Sequence, residues 1–293
     1  MTDSSQVSLS IVLPARDEAA SLRTLLPQLR SRFPEAQIIV VDDGSSDDTA
    51  EVCQANQVTR LHNPYGMGNG AAIKRGTRRA RGEVIAFMDA DSQHRPEHVR
   101  QLLQRFLDDD LDMVVGARPL SAHASRLRRF GNRLFNALAS WMTGQRIQDL
   151  TSGLRVVRAS RFREFLHLLP NGFSYPTTST MAFFRSGYTV AYELVDVQQR
   201  IGTSHLNIWR EGSRFLLIIF KIGAMYSPLK LFAPVSAALF ILATLLYVHT
   251  YISDGRFTNM SALLYTTALL TFLIGIVSEQ ITNLMFARRE RGD

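Results

Sequence analysis

Short apolar runs alternate with helix-compatible segments between Leu9 and Val115. The apolar runs are typical of buried strands, and they cover Leu9–Leu13, Gln37–Val41, Val84–Met88 and Met113–Val115. The intervening segments carry apolar residues at helical spacing, and they cover Glu18–Arg32, Asp47–Asn56, Gly70–Arg81 and Pro96–Asp108. This alternation predicts an α/β domain built on a mostly parallel sheet. Ligands of such sheets bind beyond the carboxyl ends of the strands.

The pattern becomes looser after Gly116. An arginine-rich stretch, Arg126–Thr143, is predicted to be helical, and a loop-rich segment follows it as far as Asn207. Within that segment, Leu154–Val157 and Thr189–Val197 are predicted to be further strands. We therefore place the end of the α/β domain at residue 207.

Two long apolar stretches follow near the end of the chain. Leu231–Tyr251 carries no charge, and Ala262–Phe286 is interrupted only late, by Glu279, Gln280 and Asn283. A bilayer-spanning helix needs about 20 apolar residues, so the two stretches predict a transmembrane hairpin. A buried hairpin of a soluble protein is the alternative. Glu279 is a functional residue within the membrane, a side chain that extends to the nearby cytoplasmic interface, or a contact between the two helices.

Apolar residues recur at helical spacing from Ile208 to Tyr226, beside Arg210, Arg214 and Lys221. Just before a membrane span, this pattern favours an amphipathic helix lying in the membrane interface, although a helix facing a protein core has the same pattern. The predicted organisation is therefore a domain at 1–207, an interfacial helix at 208–228 and a membrane hairpin at 229–293.

Basic residues flank the predicted hairpin and are scarce in its connecting loop. Those outside the spans are Lys221, Lys230, Arg288, Arg289 and Arg291, whereas the loop has Arg256 against Asp254. The positive-inside tendency predicts that the α/β domain and both chain ends are cytoplasmic, with a basic C-terminal tail. The polar segment Met1–Gln6 lacks the pattern of a signal peptide, in agreement with this orientation.

The amino-acid composition limits the kinds of ligand and metal site that are expected. The formal net charge is +7 and only three residues are lysine, so arginine supplies most of the positive charge. Arginine favours bidentate contact with phosphate and carboxylate groups. The single cysteine, Cys53, excludes an intramolecular disulfide and a multi-cysteine metal site.

Acidic motifs follow two of the predicted strands. Asp42 and Asp43 precede a Gly-Ser turn after the second strand, where carboxylates can accept hydrogen bonds from a ribose or a base, while Ser46 or Asp47 caps the next helix. Asp89-Ala90-Asp91 follows Val84–Met88, and two carboxylates at this spacing can converge on one Mg²⁺ or Mn²⁺ ion.

A glycine-rich segment, Asn63–Ala71, lies between these motifs. Its glycines stand at alternate positions, so it is not the G-x-G-x-x-G fingerprint of dinucleotide-binding proteins. The loop can still bring backbone at Gly70 close to a nucleotide-sugar, at the start of the following helix.

Five segments together resemble glycosyltransferase family 2, and within it the polyprenol-phosphate hexosyltransferases. They are Ser10–Glu18, Val40–Thr49, Asn63–Gly76, Met88–Gln93 and Gln148–Arg155. The resemblance covers Ser8 to about Asn207 in order, and the two-helix tail matches members of that group. It implies a GT-A fold and transfer of a hexose from a UDP- or GDP-sugar to a polyprenyl phosphate, with inversion.

The resemblance also implies residue roles. Catalytic roles fall to Asp91, Asp149, Arg118 and Arg155. Because a phosphate monoester is already largely dianionic near neutral pH, Asp149 is expected to be an orienting group rather than an obligatory base. A Mg²⁺ or Mn²⁺ ion would be held by Asp89, Asp91 and Gln93. Donor contacts would come from Pro14, Ala15, Glu18, Val41, Asp43, Gly70, Asp89, Ala90 and Arg200. Acceptor contacts would come from Ser152, Arg133 and Ser204.

Two departures from the family pattern concern substrate contacts. His205 stands where relatives usually have lysine, and Gly172–Thr180 replaces an acidic stretch. The second segment either shapes the acceptor or sugar pocket or is a turn that leads into a helix.

Other functions agree less well with these residues. A processive polysaccharide synthase would need a Gln-x-x-Arg-Trp motif and more membrane spans than this chain has. A membrane-tethered binding protein without turnover would not need Asp89, Asp91, Asp149 and Arg155. No aromatic stacking array accompanies the arginines, so a nucleic-acid partner is not expected. Association into a homo-oligomer is left open.

Overall fold

The computed structural model describes residues 7–118, 126–172, 175–196, 220, 223–224 and 227–290, with the side chains of 126–130 and 285–290 excluded. The chain divides into two compact units. One comprises residues 1–140 with 145–212, and the other comprises residues 141–144 with 213–293. The predicted interfacial helix at 208–228 lies largely outside the described residues, and the predicted boundary at 207 stays a prediction.

The first unit is built on a mixed, mostly parallel sheet. Its strands are β1 (Leu9–Ala15), β2 (Gln37–Asp42), β3 (Thr59–His62), β4 (Val84–Phe87), β5 (Met113–Ala117), β6 (Arg155–Arg158) and β7 (Val190–Leu194). Their order across the sheet is β3-β2-β1-β4-β6-β5-β7, and β6 runs antiparallel to both of its neighbours. The carboxyl ends of the parallel strands β1, β2, β4 and β5 therefore open on one edge.

Helices connect the strands and cover both faces of the sheet. They are α1 (Ala19–Arg32), α2 (Thr49–Ala55), α3 (Asn69–Arg79), α4 (Pro96–Asp108), α5 (Arg126–Thr143), α6 (Ala159–Glu164) and α7 (Tyr175–Arg185). The core on one face includes Leu22 and Leu26 of α1 and Leu102 and Phe106 of α4. On the other face α3 approaches the sheet closely, because an added Cβ at Gly76 would overlap side chains of β1 and β2.

The strands and helices predicted between Leu9 and Val197 are confirmed, with shifts of a few residues at their ends. Two short elements were missed. Thr59–His62 alternates half-buried and exposed residues at the edge of the sheet, so it has no apolar run that would indicate a strand. The six residues of α6 are too few for a helical repeat to stand out. Within Gly172–Thr180, the residues from Tyr175 onward form the start of α7, which agrees with the interpretation that this segment leads into a helix.

The second unit contains the two long apolar helices. They are α8 (Pro228–Asp254) and α9 (Asn259–Glu290), and each is long and apolar enough to cross a membrane. α8 ends at Gly255, whose left-handed φ of 63° suits glycine and whose N–H donates to the Tyr251 carbonyl. Ser236 Oγ in α8 donates to the Ala268 carbonyl in α9 at 2.7 Å, so a small polar side chain joins the two helices.

Glu279 links α9 to the beginning of α8. Its Oε2 accepts a hydrogen bond from the backbone N–H of Leu229 at 3.2 Å. Leu229 lies in the first turn of α8, where N–H groups have no partner within the helix. Of the roles that the sequence leaves open for Glu279, the structure therefore supports the contact between helices.

Replacing Glu279 should destabilise the hairpin only when the acceptor oxygen is lost. Glu279→Gln keeps an amide oxygen that can accept from Leu229, whereas Glu279→Ala leaves that N–H unsatisfied, which costs about 1–3 kcal/mol when the group is shielded from water. Thermal unfolding of the full chain in detergent should give a lower midpoint for Glu279→Ala than for Glu279→Gln. Equal midpoints would contradict this capping role.

Candidate active site

The Asp89-Ala90-Asp91 motif forms the loop that follows β4. Both carboxylates are half-buried at the end of this strand. Ser92 has a left-handed φ of 58°, and the Gln93 N–H donates to Asp91 Oδ1 at 3.2 Å. The backbone therefore turns sharply after Asp91 and fixes the direction of its carboxylate.

Arg118, just after β5, forms an ion pair with Asp149. Arg118 Nε lies 2.8 Å from Asp149 Oδ2, and Nη2 lies 3.1 Å from Oδ1, which is the two-pronged geometry that favours arginine and carboxylate. Thr151 completes the arrangement, because its hydroxyl accepts from Arg118 Nη2 at 2.6 Å and its N–H donates to Asp149 Oδ1 at 3.0 Å. The ion pair thus joins the end of β5 to the loop before β6.

This pairing keeps Asp149 ionised. Burial alone would raise the pKa of Asp149, but the hydrogen bonds and charge of Arg118, with the Thr151 N–H, lower it. Burial likewise opposes the charge on Arg118, but Asp149, Asp89 and Asp91 outweigh it and raise the Arg118 pKa. Arg118 therefore stands in the field of all three carboxylates.

Gly153 brings the loop before β6 against Asp89. A Cβ added at Gly153 would overlap the Asp89 carboxylate. Glycine is therefore required here by the close approach of a side chain and not by a special φ angle. The motif residues after β4, after β5 and before β6 thus meet at one edge of the sheet, as the topology predicts.

Arg155 lies beneath this site and is fully buried. Its Nη1 donates to the Pro176 carbonyl at 3.1 Å and to Ser179 Oγ at 2.6 Å, and its Nη2 donates to the Ser152 carbonyl at 2.5 Å. The guanidinium also lies 5.5 Å from the centroid of the Tyr175 ring. Because Arg155 is inaccessible, the catalytic role predicted for it becomes a proposed positioning role, exerted through Ser152 and α7.

Asn136 of α5 holds the Asp149 loop from the other side. Its Nδ2 donates to the Gln148 carbonyl at 2.6 Å, and its Oδ1 accepts from the Leu150 N–H at 3.1 Å. These bonds enclose Asp149 on both sides along the chain. Asn136 could not be recognised from the sequence, because a single amide in a helix resembles any solvated residue.

His94 is a second residue that sequence reasoning missed. It follows Gln93 directly, and only 4% of its surface is exposed. Burial, together with the charges of His98 and Arg118, lowers the pKa of His94 to about 4, so the imidazole is neutral near pH 7. Its Nδ1 has no hydrogen-bond partner within the described part of the chain. Its position three residues after Asp91, before a helix start, was the signal available in the sequence.

The paired aspartates after β2 have separate roles. Asp42 is fully buried and paired with Arg60, with 2.9 Å between Asp42 Oδ2 and Arg60 Nε. Asp43 accepts hydrogen bonds from Asn63 Nδ2 at 2.7 Å and from the N–H groups of Met67 and Gly68, each at 2.8 Å. Asp43 therefore organises the glycine-rich loop, and its predicted contact with the donor stays a prediction.

The glycine-rich loop and the start of α3 pack against residues 169–172. The N–H of Gly70 donates to the Gly172 carbonyl at 3.1 Å, and that of Ala71 donates to the Asn171 carbonyl at 2.9 Å. Lys74 Nζ donates to the Leu169 carbonyl at 3.1 Å. Close packing thus accounts for Gly70, and its N–H is already used within the fold.

The remaining predicted residues differ in accessibility. Val41 is fully buried, and Ala15, Ala90 and Ser152 are nearly so, so their predicted contacts with substrates stay predictions. Pro14 and Glu18 are half-buried beside the carboxyl end of β1, and Arg133 is exposed on α5. Arg200, Ser204 and His205 lie outside the described residues.

The acidic loop suits a divalent cation that is shared with a ligand. No group of three His, Cys, Asp or Glu side chains that could hold a metal occurs in the described ranges. Asp89 and Asp91 offer carboxylate oxygens and Gln93 an amide oxygen, which are ligands of the type that Mg²⁺ and Mn²⁺ prefer. Such a small set fits a cation that also binds phosphate oxygens.

Comparison with known families agrees with this geometry. Residues 10–166, more than half of the chain, match the model of glycosyl transferase family 2. The chain belongs to glycosyltransferase family 2. Residues 227–284 match a second model, the GtrB C-terminal hairpin, which covers most of α8 and α9. This family 2 glycosyltransferase therefore carries the catalytic domain and the apolar hairpin in one chain, as the sequence predicts.

Curated relatives match this chain over half of its length or more. The undecaprenyl-phosphate 4-deoxy-4-formamido-L-arabinose transferase of Pseudomonas syringae pv. syringae is 27% identical, and the match covers 93% of this chain and 85% of the relative. The enzyme of that name from Pseudomonas aeruginosa is 33% identical over 58% of this chain and 55% of its own length. The family 2 chain is thus similar to polyprenol-phosphate glycosyltransferases along most of its length.

Solved structures support the GT-A fold. Glucosyl-3-phosphoglycerate synthase from Mycobacterium tuberculosis, in complex with Mn²⁺, UDP and phosphoglyceric acid, has a TM-score of 0.62 at 18% identity. The match covers 75% of this chain and 79% of that one. At this identity the likeness concerns the fold of the family 2 domain.

Gly153→Ala should impair sugar transfer without unfolding the domain. The added Cβ displaces the Asp89 carboxylate, and a misplacement of about 1 Å in an active site can cost roughly 100-fold in rate. Gly131→Ala is the matched control, since an added Cβ there meets only Phe135 Cε2, at 3.9 Å. Transfer rates and thermal midpoints of both variants test this. A Gly153→Ala enzyme with an unchanged rate would contradict the proposed placement of Asp89.

Proposed function

We propose that the chain transfers a hexose from a UDP- or GDP-sugar to a polyprenyl phosphate at the cytoplasmic face of a membrane. The observation that supports this proposal most strongly is that one chain contains both a glycosyltransferase domain and an apolar helical hairpin. The carboxylates and arginine at the edge of the sheet suit a nucleotide-sugar, and the apolar hairpin suits an enzyme whose acceptor is a lipid.

The acceptor is inferred from the relatives and the hairpin. The Pseudomonas enzymes carry undecaprenyl phosphate in their names, and the match to the P. syringae enzyme extends over 93% of this chain. A polyprenyl chain stays in the bilayer and presents only its phosphate to the cytoplasm. Arg118 pairs with Asp149 and stands in the field of Asp89 and Asp91, and with Arg133 and Ser152 it is our choice for the acceptor side.

The donor is assigned to the acidic loop. Asp89, Asp91 and Gln93 would hold Mg²⁺ or Mn²⁺, and when bound this ion supplies positive charge to the diphosphate leaving group. Asp91 is held by the turn at Ser92, so its carboxylate is already directed before the donor binds. A related fold in complex with Mn²⁺ and UDP supports this choice of ligand.

The reaction we propose is a single displacement with inversion. An acceptor phosphate oxygen forms a bond to the anomeric carbon while the bond from that carbon to the donor diphosphate breaks. A phosphate monoester loses its second proton with a pKa of about 6, so it is a competent nucleophile near pH 7 without a strong base. Asp149, which is already ionised and engaged by Arg118, orients that arginine instead of taking a proton.

The cytoplasmic orientation rests on charge. Lys230 stands at the beginning of α8, and Arg288, Arg289 and Arg291 follow in the sequence near the end of α9. The tendency of basic residues to remain in the cytoplasm puts both ends of the hairpin there, and with them the catalytic domain.

Metal-dependent transfer should disappear in Asp91→Asn. This change keeps the size of the side chain but removes a negative charge that a divalent cation requires. We would assay purified full-length protein with undecaprenyl phosphate, Mg²⁺ or Mn²⁺ and a panel of UDP- and GDP-sugars. Asp108→Asn, at the exposed end of α4, is the matched control and should keep full activity.

Three outcomes distinguish the alternatives. Lipid product from the wild type and from Asp108→Asn, but not from Asp91→Asn, supports the proposal. Donor hydrolysis without lipid product would indicate a different acceptor. Absence of donor turnover across the whole panel would favour a binding protein without catalysis.

The pH dependence tests the role of Asp149. Its lowered pKa keeps the carboxylate charged throughout pH 5 to 9, so the wild-type rate should have no inflection caused by Asp149 in that window. An acid limb near the second phosphate pKa of about 6 should occur in wild type and in Asp149→Asn, with a lower plateau in the variant. An acid limb that vanishes in Asp149→Asn would identify Asp149 as a base.

A further inference from the structure

Three residues form a row across the sheet, on the face where Arg155 contacts α7. Val115 of β5 is paired with Arg155 of β6 on one side and with Tyr192 of β7 on the other. Side chains paired in this way across neighbouring strands point to the same face. Neighbouring strands lie about 4.8 Å apart, so one short valine separates two long polar side chains whose backbones are roughly 10 Å apart.

Each of the two long side chains has a buried polar atom without a partner. Arg155 uses Nη1 and Nη2 for its hydrogen bonds, but its Nε has no acceptor within the described part of the chain. The hydroxyl oxygen of Tyr192 is also buried and forms no hydrogen bond with any described residue. Buried polar groups in proteins are normally satisfied, so two unsatisfied groups in one row indicate that a small polar molecule binds to both.

The two side chains also interact electrostatically with each other and with Asp149. Burial raises the pKa of the Tyr192 hydroxyl, whereas the charge of Arg155 lowers it and the charge of Asp149 raises it. Burial lowers the pKa of Arg155, and Tyr175 and Tyr192 lead the groups that oppose this shift. Arg155 and Tyr192 therefore lie close enough to act on each other and on Asp149.

Arg155 and Tyr192 lie at opposite ends of the loop that carries Asp149. Arg155 Nη2 donates to the Ser152 carbonyl at 2.5 Å, at the end of the loop. The backbone N–H of Gln148, at its beginning, comes near the Tyr192 hydroxyl oxygen, outside hydrogen-bond geometry, and lowers its pKa. A connection between Arg155 and Tyr192 would therefore support the loop on both sides of Asp149.

We propose that one buried water molecule bridges Arg155 Nε and the Tyr192 hydroxyl, and that Tyr192 is thereby a positioning residue for Asp149. Water suits both groups, because its oxygen accepts from the Arg155 Nε–H while it exchanges a second hydrogen bond with the hydroxyl. A bound anion fits less well, since Asp149 and Asp89 already act on Arg155. The positioning role rests on the proposed sugar transfer, whereas the water site does not.

A structure of the full-length protein at a resolution that shows ordered water tests the site directly. We expect one water oxygen at about 2.7–3.2 Å from both Arg155 Nε and Tyr192 Oη. In Tyr192→Phe that water should be lost or displaced, because one of its two partners is removed. The thermal midpoint of this variant should fall by about 2–4 °C.

A comparison of single and double variants tests whether Tyr192 acts through Asp149. Tyr192→Phe should lower kcat for sugar transfer about tenfold and leave the KM of the donor unchanged, because the loop is misplaced and the donor site is not. When Asp149→Asn is already present, adding Tyr192→Phe should change kcat by less than about twofold, since the carboxylate to be positioned is gone.

Tyr188→Phe is the matched control for the loss of a tyrosine hydroxyl. The Tyr188 hydroxyl donates to Glu164 Oε2 at 2.7 Å, in an exposed contact away from the Asp149 loop. This variant should keep the wild-type kcat, and in the Asp149→Asn background it should also have no effect.

Two results would overturn the proposal. A structure in which Arg155 Nε and Tyr192 Oη share no water would exclude the bridge, whether or not the chain transfers a sugar. Equal losses of kcat from Tyr192→Phe in the wild type and in Asp149→Asn would mean that Tyr192 does not act through Asp149. Absence of sugar transfer in the wild type would instead contradict the proposed function and with it the positioning role, and the structure would still decide the water site.

Discussion

The ion pair between Arg118 and Asp149 is the interaction on which the site depends. A buried carboxylate is costly without a partner, and Asp149 receives hydrogen bonds from Arg118 and from the backbone of Thr151. The pair fixes the loop that carries Ser152 and Gly153, and Gly153 in turn lies against Asp89. The position of the Asp89 carboxylate thus depends on bonds made by residues that do not themselves form part of the acidic loop.

A second buried charge supports the same loop from below. Arg155 is fully buried, and in the described structure its hydrogen bonds go to carbonyl and hydroxyl oxygens instead of a carboxylate. Desolvation lowers its pKa, and the field of Tyr175, Tyr192, Asp149 and Asp89 opposes that shift. A positive charge close to the acidic loop favours bound phosphate, since low dielectric surroundings strengthen electrostatic attraction. Two hydroxyl residues of α7, Ser179 and Thr180, therefore accept hydrogen bonds from this arginine, which gives part of the Gly172–Thr180 segment a role within the fold.

The strands and helices that could be predicted from the sequence are those that depend on interactions between residues close together in the chain. Buried strands such as Val84–Phe87 can be recognised in the sequence by their apolar runs. The start of α4 at Pro96 can be recognised because proline suits a first helical turn. The sequence also predicted that the motif residues gather at one edge, since that follows from parallel strands. Contacts between distant segments could not be predicted, among them Asn136 with the Asp149 loop, Gly153 with Asp89, and residues 169–172 with the start of α3. Burial of Arg155 and of the His94 imidazole has the same origin, because accessibility depends on the packed domain.

The proposed transfer of a sugar from a nucleotide to a lipid phosphate is tested by mass spectrometry of the organic-phase lipid. Full-length protein would be incubated with undecaprenyl phosphate and its preferred donor. We expect a new lipid whose mass is that of undecaprenyl phosphate plus one hexose residue, with free nucleoside diphosphate in equal amount. A lipid that also gains the sugar phosphate, or that carries several sugars, would contradict a single displacement on the phosphate oxygen.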